Sequence, residues 1–152
     1  MIQRIQSVWL LLAAITISCL LFVPMVTATI GNTNYYVIAS GLYQKVGNNT
    51  TQLESSTPLM LSAIASALIC LVNIFNFNNR KRQKFITRIV SILIIGLSFL
   101  CSQFAQKIPG GLESANYNIG MFLPIIAIIF CLLAVRGINA DDKLIRSADR
   151  LR

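Results

Sequence analysis

Hydrophobic positions in this chain fall into four long runs that contain no charged residue. The runs cover residues 8–30, 58–79, 89–106 and 114–135, and they are 23, 22, 18 and 22 residues long. An α-helix rises about 1.5 Å per residue and the hydrocarbon core of a bilayer is about 30 Å thick, so each run can cross a membrane with modest tilt. The pattern predicts an all-α membrane protein, a single domain over residues 1–152 that forms an antiparallel four-helix transmembrane bundle.

The segments between and after the runs predict two smaller elements. The first outer loop, residues 31–57, contains β-prone stretches at 34–39 and 42–46 around the turn-prone pair Ser40-Gly41. This arrangement indicates a short β-hairpin. The tail, residues 137–152, begins with Asn and Asp residues typical of helix caps and then places Leu144, Ile145, Ala148 and Leu151 at helical spacing. The tail is therefore predicted to form a separate, short amphipathic helix.

The basic residues orient the chain. The chain has 13 Lys and Arg residues against 5 Asp and Glu residues, and its net charge is +8. Four crossings place eleven of the basic residues on one side, with only Lys45 and Lys107 on the other. Cytoplasmic loops of membrane proteins carry an excess of Lys and Arg, so both termini and the segment 80–88 are predicted to face the cytoplasm.

This basic side is the predicted contact surface for a partner or for lipid headgroups. Each Lys or Arg close to an anionic membrane surface contributes about 1 kcal/mol of attraction, so part of the pattern serves orientation alone. The amphipathic tail also needs a cover for its apolar face. The candidate contact residues are Arg80, Lys81, Arg82, Lys84, Arg88, Lys143, Leu144, Arg146, Arg150 and Arg152.

The runs carry none of the residues that usually perform chemistry. General acid–base catalysis needs His, Asp or Glu near the substrate, yet the chain has no His and its acids lie in loops and tail. One Cys lies in each run, with Cys70 and Cys131 in the inner half and Cys19 and Cys101 toward the outer half. Thiols at different depths cannot share a metal. We therefore expect no enzyme activity, no cofactor and no metal site.

Weakly polar residues recur along the second run and allow two interpretations. Ser62, Ser66, Asn73 and Asn76 lie at spacings of three, four and seven residues, which keeps them near one helix face. Such residues hydrogen-bond between transmembrane helices at roughly 0.6–2 kcal/mol each, so they are candidates for helix packing. The alternative is a polar path through a small oligomeric transporter or channel. Transporters usually place an ionisable residue within the membrane, and the runs have none.

The two ends of the chain resemble a known group of proteins. The opening, residues 1–14 (MIQRIQSVWLLLAA), and the ending, residues 142–152 (DKLIRSADRLR), are similar to an uncharacterised family of four-span inner-membrane proteins from Bacteroidota, classified as a domain of unknown function. The resemblance implies a location in the bacterial cytoplasmic membrane. It supplies no site residues.

Three functional hypotheses follow from these observations. The first is a non-enzymatic accessory or scaffold subunit of a larger inner-membrane complex, with one or more protein partners in the membrane. An acidic cytoplasmic partner would complement the basic side, and contact with nucleic acid is expected only if the complex docks a ribosome, as in protein translocation. The second is the transporter or channel. The third is a protein that binds anionic lipid through its tail.

Overall fold

The computed structural model describes residues 3–31, 33–76, 79–109 and 115–149, with side chains described over 5–31, 33–76, 79–109 and 115–142. Four α-helices cover Gln3–Cys19 (α1), Thr57–Ile74 (α2), Arg80–Ala105 (α3) and Leu123–Asp149 (α4). Five strands cover Val26–Ile30 (β1), Thr33–Ile38 (β2), Gly41–Val46 (β3), Asn49–Ser55 (β4) and Ala115–Tyr117 (β5). A turn of 3-10 helix at Ile119–Met121 leads into α4.

The predicted all-α class is wrong, because a five-stranded antiparallel sheet accompanies the helices. The strand order is β4-β3-β2-β1-β5. The predicted hairpin is present as β2 and β3, paired from Thr33 opposite Val46 to Ile38 opposite Gly41. It forms the middle of the sheet instead of standing alone, and β1 adds to its other side through Val26 opposite Val37. A lone hairpin is marginally stable in water, whereas a larger sheet with one packed face is stable.

The first uncharged run contains two elements of different type. α1 ends at Cys19, a turn follows through Val23, and β1 begins at Val26. The strand alternates between buried and more exposed positions, with Val26 and Ala28 almost completely buried. This two-residue period is that of a half-buried strand, although its apolar composition continues that of the helix.

The helices pack side by side in a closed ring. α1 contacts α2 and α4, and α3 also contacts α2 and α4. The inner face of the sheet carries Val26, Val37 and Leu42, which join Leu59 of α2 and Leu123 of α4 in one hydrophobic cluster. The sheet therefore lies at the end of the ring where α1 and α3 finish and where α2 and α4 begin.

The predicted C-terminal helix is not a separate element. Residues 137–149 continue α4 without a break. Asn139 and Asp141 therefore lie within this helix and do not cap a new one. The positions 150–152 of that prediction lie outside the described residues.

Three helices of the described chain are long and apolar enough to cross a membrane: Thr57–Ile74, Arg80–Ala105 and Ile119–Asp142, the last including the turn before α4. The apolar part of α1, Ile5–Cys19, is shorter than these. Only about a third or less of each of the three apolar windows is buried inside the protein. Most of the apolar surface of these helices therefore faces outward.

Candidate functional site

The basic segment 80–88, which connects the second and third uncharged runs, is helical and not a loop. α3 begins at Arg80, and Asn79 caps it by accepting a hydrogen bond through its side-chain oxygen from the Arg82 backbone N–H at 3.3 Å. The connection from α2 is therefore only the five residues between Ile74 and Arg80. Because the basic residues lie on a helix, their side chains leave it in fixed and different directions.

α3 divides its basic residues into two groups. Arg80 and Lys84 face α4: an Nη atom of Arg80 donates to the Asp141 backbone oxygen at 3.4 Å, and Lys84 Nζ lies 3.0 Å from Asp142 Oδ2. Partly exposed pairs of this kind usually contribute only about 0–1 kcal/mol to stability. Lys81, Arg82 and Arg88 are exposed. A partner approaching from outside the ring would therefore meet these three side chains rather than all five.

A buried polar contact joins α1 to α4 beside these pairs. Gln6 Nε2 donates to Asp141 Oδ2, and the two residues are 4% and 5% exposed. The other carboxylate oxygen, Asp141 Oδ1, is buried without a hydrogen-bond partner among the described residues. Gly137 permits the close approach, because a Cβ atom there would lie 3.0 Å from Gln6 Cγ.

Sequence reasoning missed this contact, since it treated the Asn and Asp residues at the start of the tail as helix caps. A signal was present: Gly137 and Asp141 are four residues apart and share one helix face. Their partner on α1 lies 135 residues away from Asp141 in sequence, and no local pattern identifies it.

A second buried polar cluster joins the end of α2 to the start of α3. Asn73 Nδ2 donates to Thr87 Oγ1 at 2.9 Å and to the Gln83 backbone oxygen at 3.2 Å. Gln83 Nε2 donates in return to the Asn73 backbone oxygen at 3.3 Å. All three residues are almost completely buried. Asn73 Oδ1 finds no partner in the part of the chain that the structure describes.

The other predicted packing residues of α2 have different roles. Ser62 donates to the Leu59 backbone oxygen at 2.9 Å and Ser66 donates to the Ser62 backbone oxygen at 2.6 Å. Both bonds stay within α2, so neither serine side chain forms a hydrogen bond to another helix in the described part of the chain; Ser66 is fully buried and Ser62 is half-buried. Asn76 follows the end of α2 and is half-buried.

A groove of about 410 Å³ runs along the outside of α2 and α3 next to this cluster. Its lining combines the amides of Asn73 and Asn76 with apolar side chains, which are Leu68, Ile69, Val72, Phe75 and Ile86. Ligand sites in proteins commonly have volumes of about 300–1,000 Å³ and few, well-placed polar groups. The groove opens outward at the same end of the ring as the basic residues.

Three of the four cysteines are buried among the helices, and Cys19 is only partly buried. The side chains of Cys70 and Cys131 interact with each other across α2 and α4, and Cys101 is buried elsewhere. Among the described residues, no group of three His, Cys, Asp or Glu side chains is placed to hold a metal ion.

The remaining predicted contact residues lie on the end of α4 or beyond it. Lys143, Leu144 and Arg146 belong to the last turns of α4, and their side chains are outside the described set. Arg150 and Arg152 lie outside the described residues altogether.

Residues 2–151 match the model of a family described as Domain of unknown function (DUF4293). No curated protein matches the chain.

Proposed function

This chain belongs to the DUF4293 family, and we propose that it is a non-enzymatic integral membrane protein that acts as an accessory subunit of a larger complex. The proposed location is the inner membrane of a bacterium of the Bacteroidota. All four helices lie in the membrane, and both termini and the Arg80–Arg88 end face the cytoplasm. The proposed partner is a protein with an acidic surface that contacts the part of α4 beyond Asp141, at this end of the protein.

The outer surface of the helices supports the membrane location. Large apolar side chains point outward along the helices, among them Leu61 (61% exposed), Ile92 (68%) and Ile125 (53%). Monomeric soluble proteins rarely expose continuous apolar surface of this extent. The shorter helix α1 packs between α2 and α4, so it shares their environment. The excess of Lys and Arg then favours a cytoplasmic position for the start of α3.

The use of the buried polar groups supports a non-enzymatic role. Gln6 and Asp141 join α1 to α4, while Asn73, Gln83 and Thr87 join α2 to α3. These groups are engaged in holding helices together at the basic end. They give this end a fixed arrangement, which suits a docking surface better than a catalytic centre that must receive a substrate.

The observation that carries the proposal is the length of α4. At the level of Asp141, α3 is only beginning at Arg80, and α1 begins three residues before Gln6. α4 nevertheless continues to Asp149, eight residues further, which is about 12 Å. The Gln6 and Lys84 contacts hold the base of this extension. In sequence this extension carries Leu144, Ile145 and Ala148 at helical spacing among basic residues. An apolar stripe that continues past the ends of the neighbouring helices favours contact with another surface.

The test is purification of the tagged full-length protein from native membranes in mild detergent. We expect a partner in stoichiometric amount, lost when Leu144→Ser and Arg146→Gln are combined. Lys81→Gln combined with Arg88→Gln is the matched control, because it removes basic charge from the exposed side of α3, and we expect it to retain the partner. Retention after nuclease treatment is expected of a protein partner and excludes attachment through ribosomal RNA. Recovery of a lone monomer, or equal loss in both variants, would contradict the proposal.

A further inference from the structure

The groove beside α2 and α3 has the position expected of a site for a membrane lipid. Its walls are turned outward: Leu68, Val72 and Phe75 are 55%, 68% and 79% exposed. Leu68 lies nearer the middle of α2, whereas Asn73 and Asn76 lie at its end beside the basic residues. The groove is therefore apolar toward the middle of the helices and polar toward the end that carries the charge.

The amide of Asn73 gives the polar end of the groove a defined requirement. Its nitrogen is already bonded to Thr87 Oγ1 and to the Gln83 backbone oxygen, which fixes the direction of the amide. Its oxygen is left without a partner among the described residues although the side chain is only 1% exposed. Buried polar atoms in folded proteins are nearly always satisfied. Asn73 lines the groove, so a ligand that inserts deeply enough to reach this oxygen should carry a hydrogen-bond donor, such as a hydroxyl group.

Arg82 adds a requirement for negative charge. At about 100° per residue, Arg82 lies about 40° around α3 from the groove residue Ile86 and one turn nearer the start of the helix. Lys81 and Arg88 lie about 140° and 160° away from Ile86, on the other side of α3. Arg82 is exposed. Arg82 is thus the basic residue of α3 on the flank next to the groove.

We propose that this groove binds an anionic phospholipid whose headgroup carries hydroxyl groups. Arg82 attracts the phosphate, a headgroup hydroxyl donates to Asn73 Oδ1, and an acyl chain lies along Val72 and Leu68. The charge, the unpaired acceptor and the apolar groove together select a lipid with these three parts. The inference rests on the proposed membrane location and is independent of the proposed protein partner.

The experiment measures lipid binding to the full-length protein. The protein is purified, placed in phosphatidylcholine nanodiscs with a minor fraction of one test lipid, and released for native mass spectrometry. The test lipids are phosphatidylglycerol, which has both charge and headgroup hydroxyls, and phosphatidic acid, which has the charge without a headgroup alcohol. We expect phosphatidylglycerol to be retained above both phosphatidic acid and phosphatidylcholine. Equal retention of the three lipids, or of the two anionic lipids, would overturn the proposal.

Two matched pairs of variants locate the site without disturbing the helix contacts of Asn73. Arg82→Gln should weaken phosphatidylglycerol retention about five-fold, because one basic residue near an anionic surface contributes about 1 kcal/mol. Lys81→Gln removes the same charge from the other side of α3 and should have no effect. Val72→Trp places an indole in the groove and should abolish selective retention, whereas Leu61→Trp on the same helix should preserve it.

The variants also separate this site from general attraction to anionic lipid. If Lys81→Gln weakens retention as much as Arg82→Gln, or if Leu61→Trp acts like Val72→Trp, the groove is not the site and the proposal is wrong. The measurement uses the purified protein alone. It can therefore succeed when no partner co-purifies, and it can fail when a partner is found.

Discussion

Replacing Gln6 with leucine should destabilise the protein strongly, although it exchanges a polar for an apolar residue in an apolar helix. Gln6 Nε2 is the donor to Asp141 Oδ2, and Asp141 Oδ1 already has no partner among the described residues. The variant therefore leaves a carboxylate that is 5% exposed without its side-chain donor. Hydrogen bonds to charged groups contribute about 1.5–3 kcal/mol, and the unpaired charge adds a desolvation penalty. We expect the free energy of unfolding to fall by about 3 kcal/mol.

Replacing both partners should restore most of that loss. In the double variant Gln6→Leu with Asp141→Leu, no buried carboxylate remains, and apolar replacement of both members of a buried pair can be nearly neutral. We expect the double variant to lie within about 1 kcal/mol of the wild type. The two substitutions should therefore be strongly non-additive, as expected for residues in direct contact.

The chain supplies its own reporter for this measurement. Trp9 is the one tryptophan in the sequence, and its ring stacks on Phe130 of α4 with centroids 5.8 Å apart. It lies one turn from Gln6 on α1, so its fluorescence reports separation of α1 from α4. Unfolding by SDS in mixed micelles can be followed by this fluorescence and by far-ultraviolet circular dichroism.

Gln103→Leu is the matched control, because Gln103 is exposed on α3. It should change the free energy of unfolding by no more than about 0.5 kcal/mol. The reasoning is refuted if Gln6→Leu behaves like this control. It is also refuted if the double variant loses the sum of the two single losses.

Three further predictions use the same unfolding measurement. Gly137→Ala should lower the free energy of unfolding of the wild type by about 1 kcal/mol, because the added Cβ displaces the Gln6 side chain held by Asp141. In a Gln6→Ala background the same substitution should raise it by about 0.5–1 kcal/mol, since alanine favours a helix more than glycine does. The same sign in both backgrounds would disprove the steric explanation. Gly41→Ala should lower the free energy of unfolding by at least about 2 kcal/mol, since its φ is +151° and the Cβ would lie 2.2 Å from a backbone oxygen of β4. Gly31→Ala is the control, with φ +60° and open space around the Cβ, and should cost about 1 kcal/mol. Equal losses in the two variants would count against the clash at Gly41. Ser56→Ala should cost about 1 kcal/mol, because its hydroxyl donates to a β2–β3 turn carbonyl at 2.7 Å in a fully buried position, and an unchanged stability would show that this bond is dispensable.

The sheet shows where local sequence information is insufficient. β1 continues an apolar run, and apolar composition alone is shared by buried strands and helices. The alternation Val-Thr-Ala-Thr-Ile at 26–30 is a strand signal that the length of the run conceals. All seven residues of β4 are exposed. The sequence of this strand therefore has no alternation of buried and exposed positions that could identify it. β5 is three residues long and pairs with β1 from almost 90 residues away.

The sequence by itself determined an apolar stretch of each helix, the central β2–β3 hairpin and the concentration of positive charge, because each depends on spacing or composition within a short segment. The tertiary structure decided what those segments do together. Packing of α3 against α4 directs Arg80 and Lys84 toward Asp141 and Asp142, and leaves Lys81, Arg82 and Arg88 exposed. Burial also joins Gln6 to Asp141 and places Asn73 beside a groove. These relations depend on residues far apart in sequence, whose proximity exists only once the helices have packed.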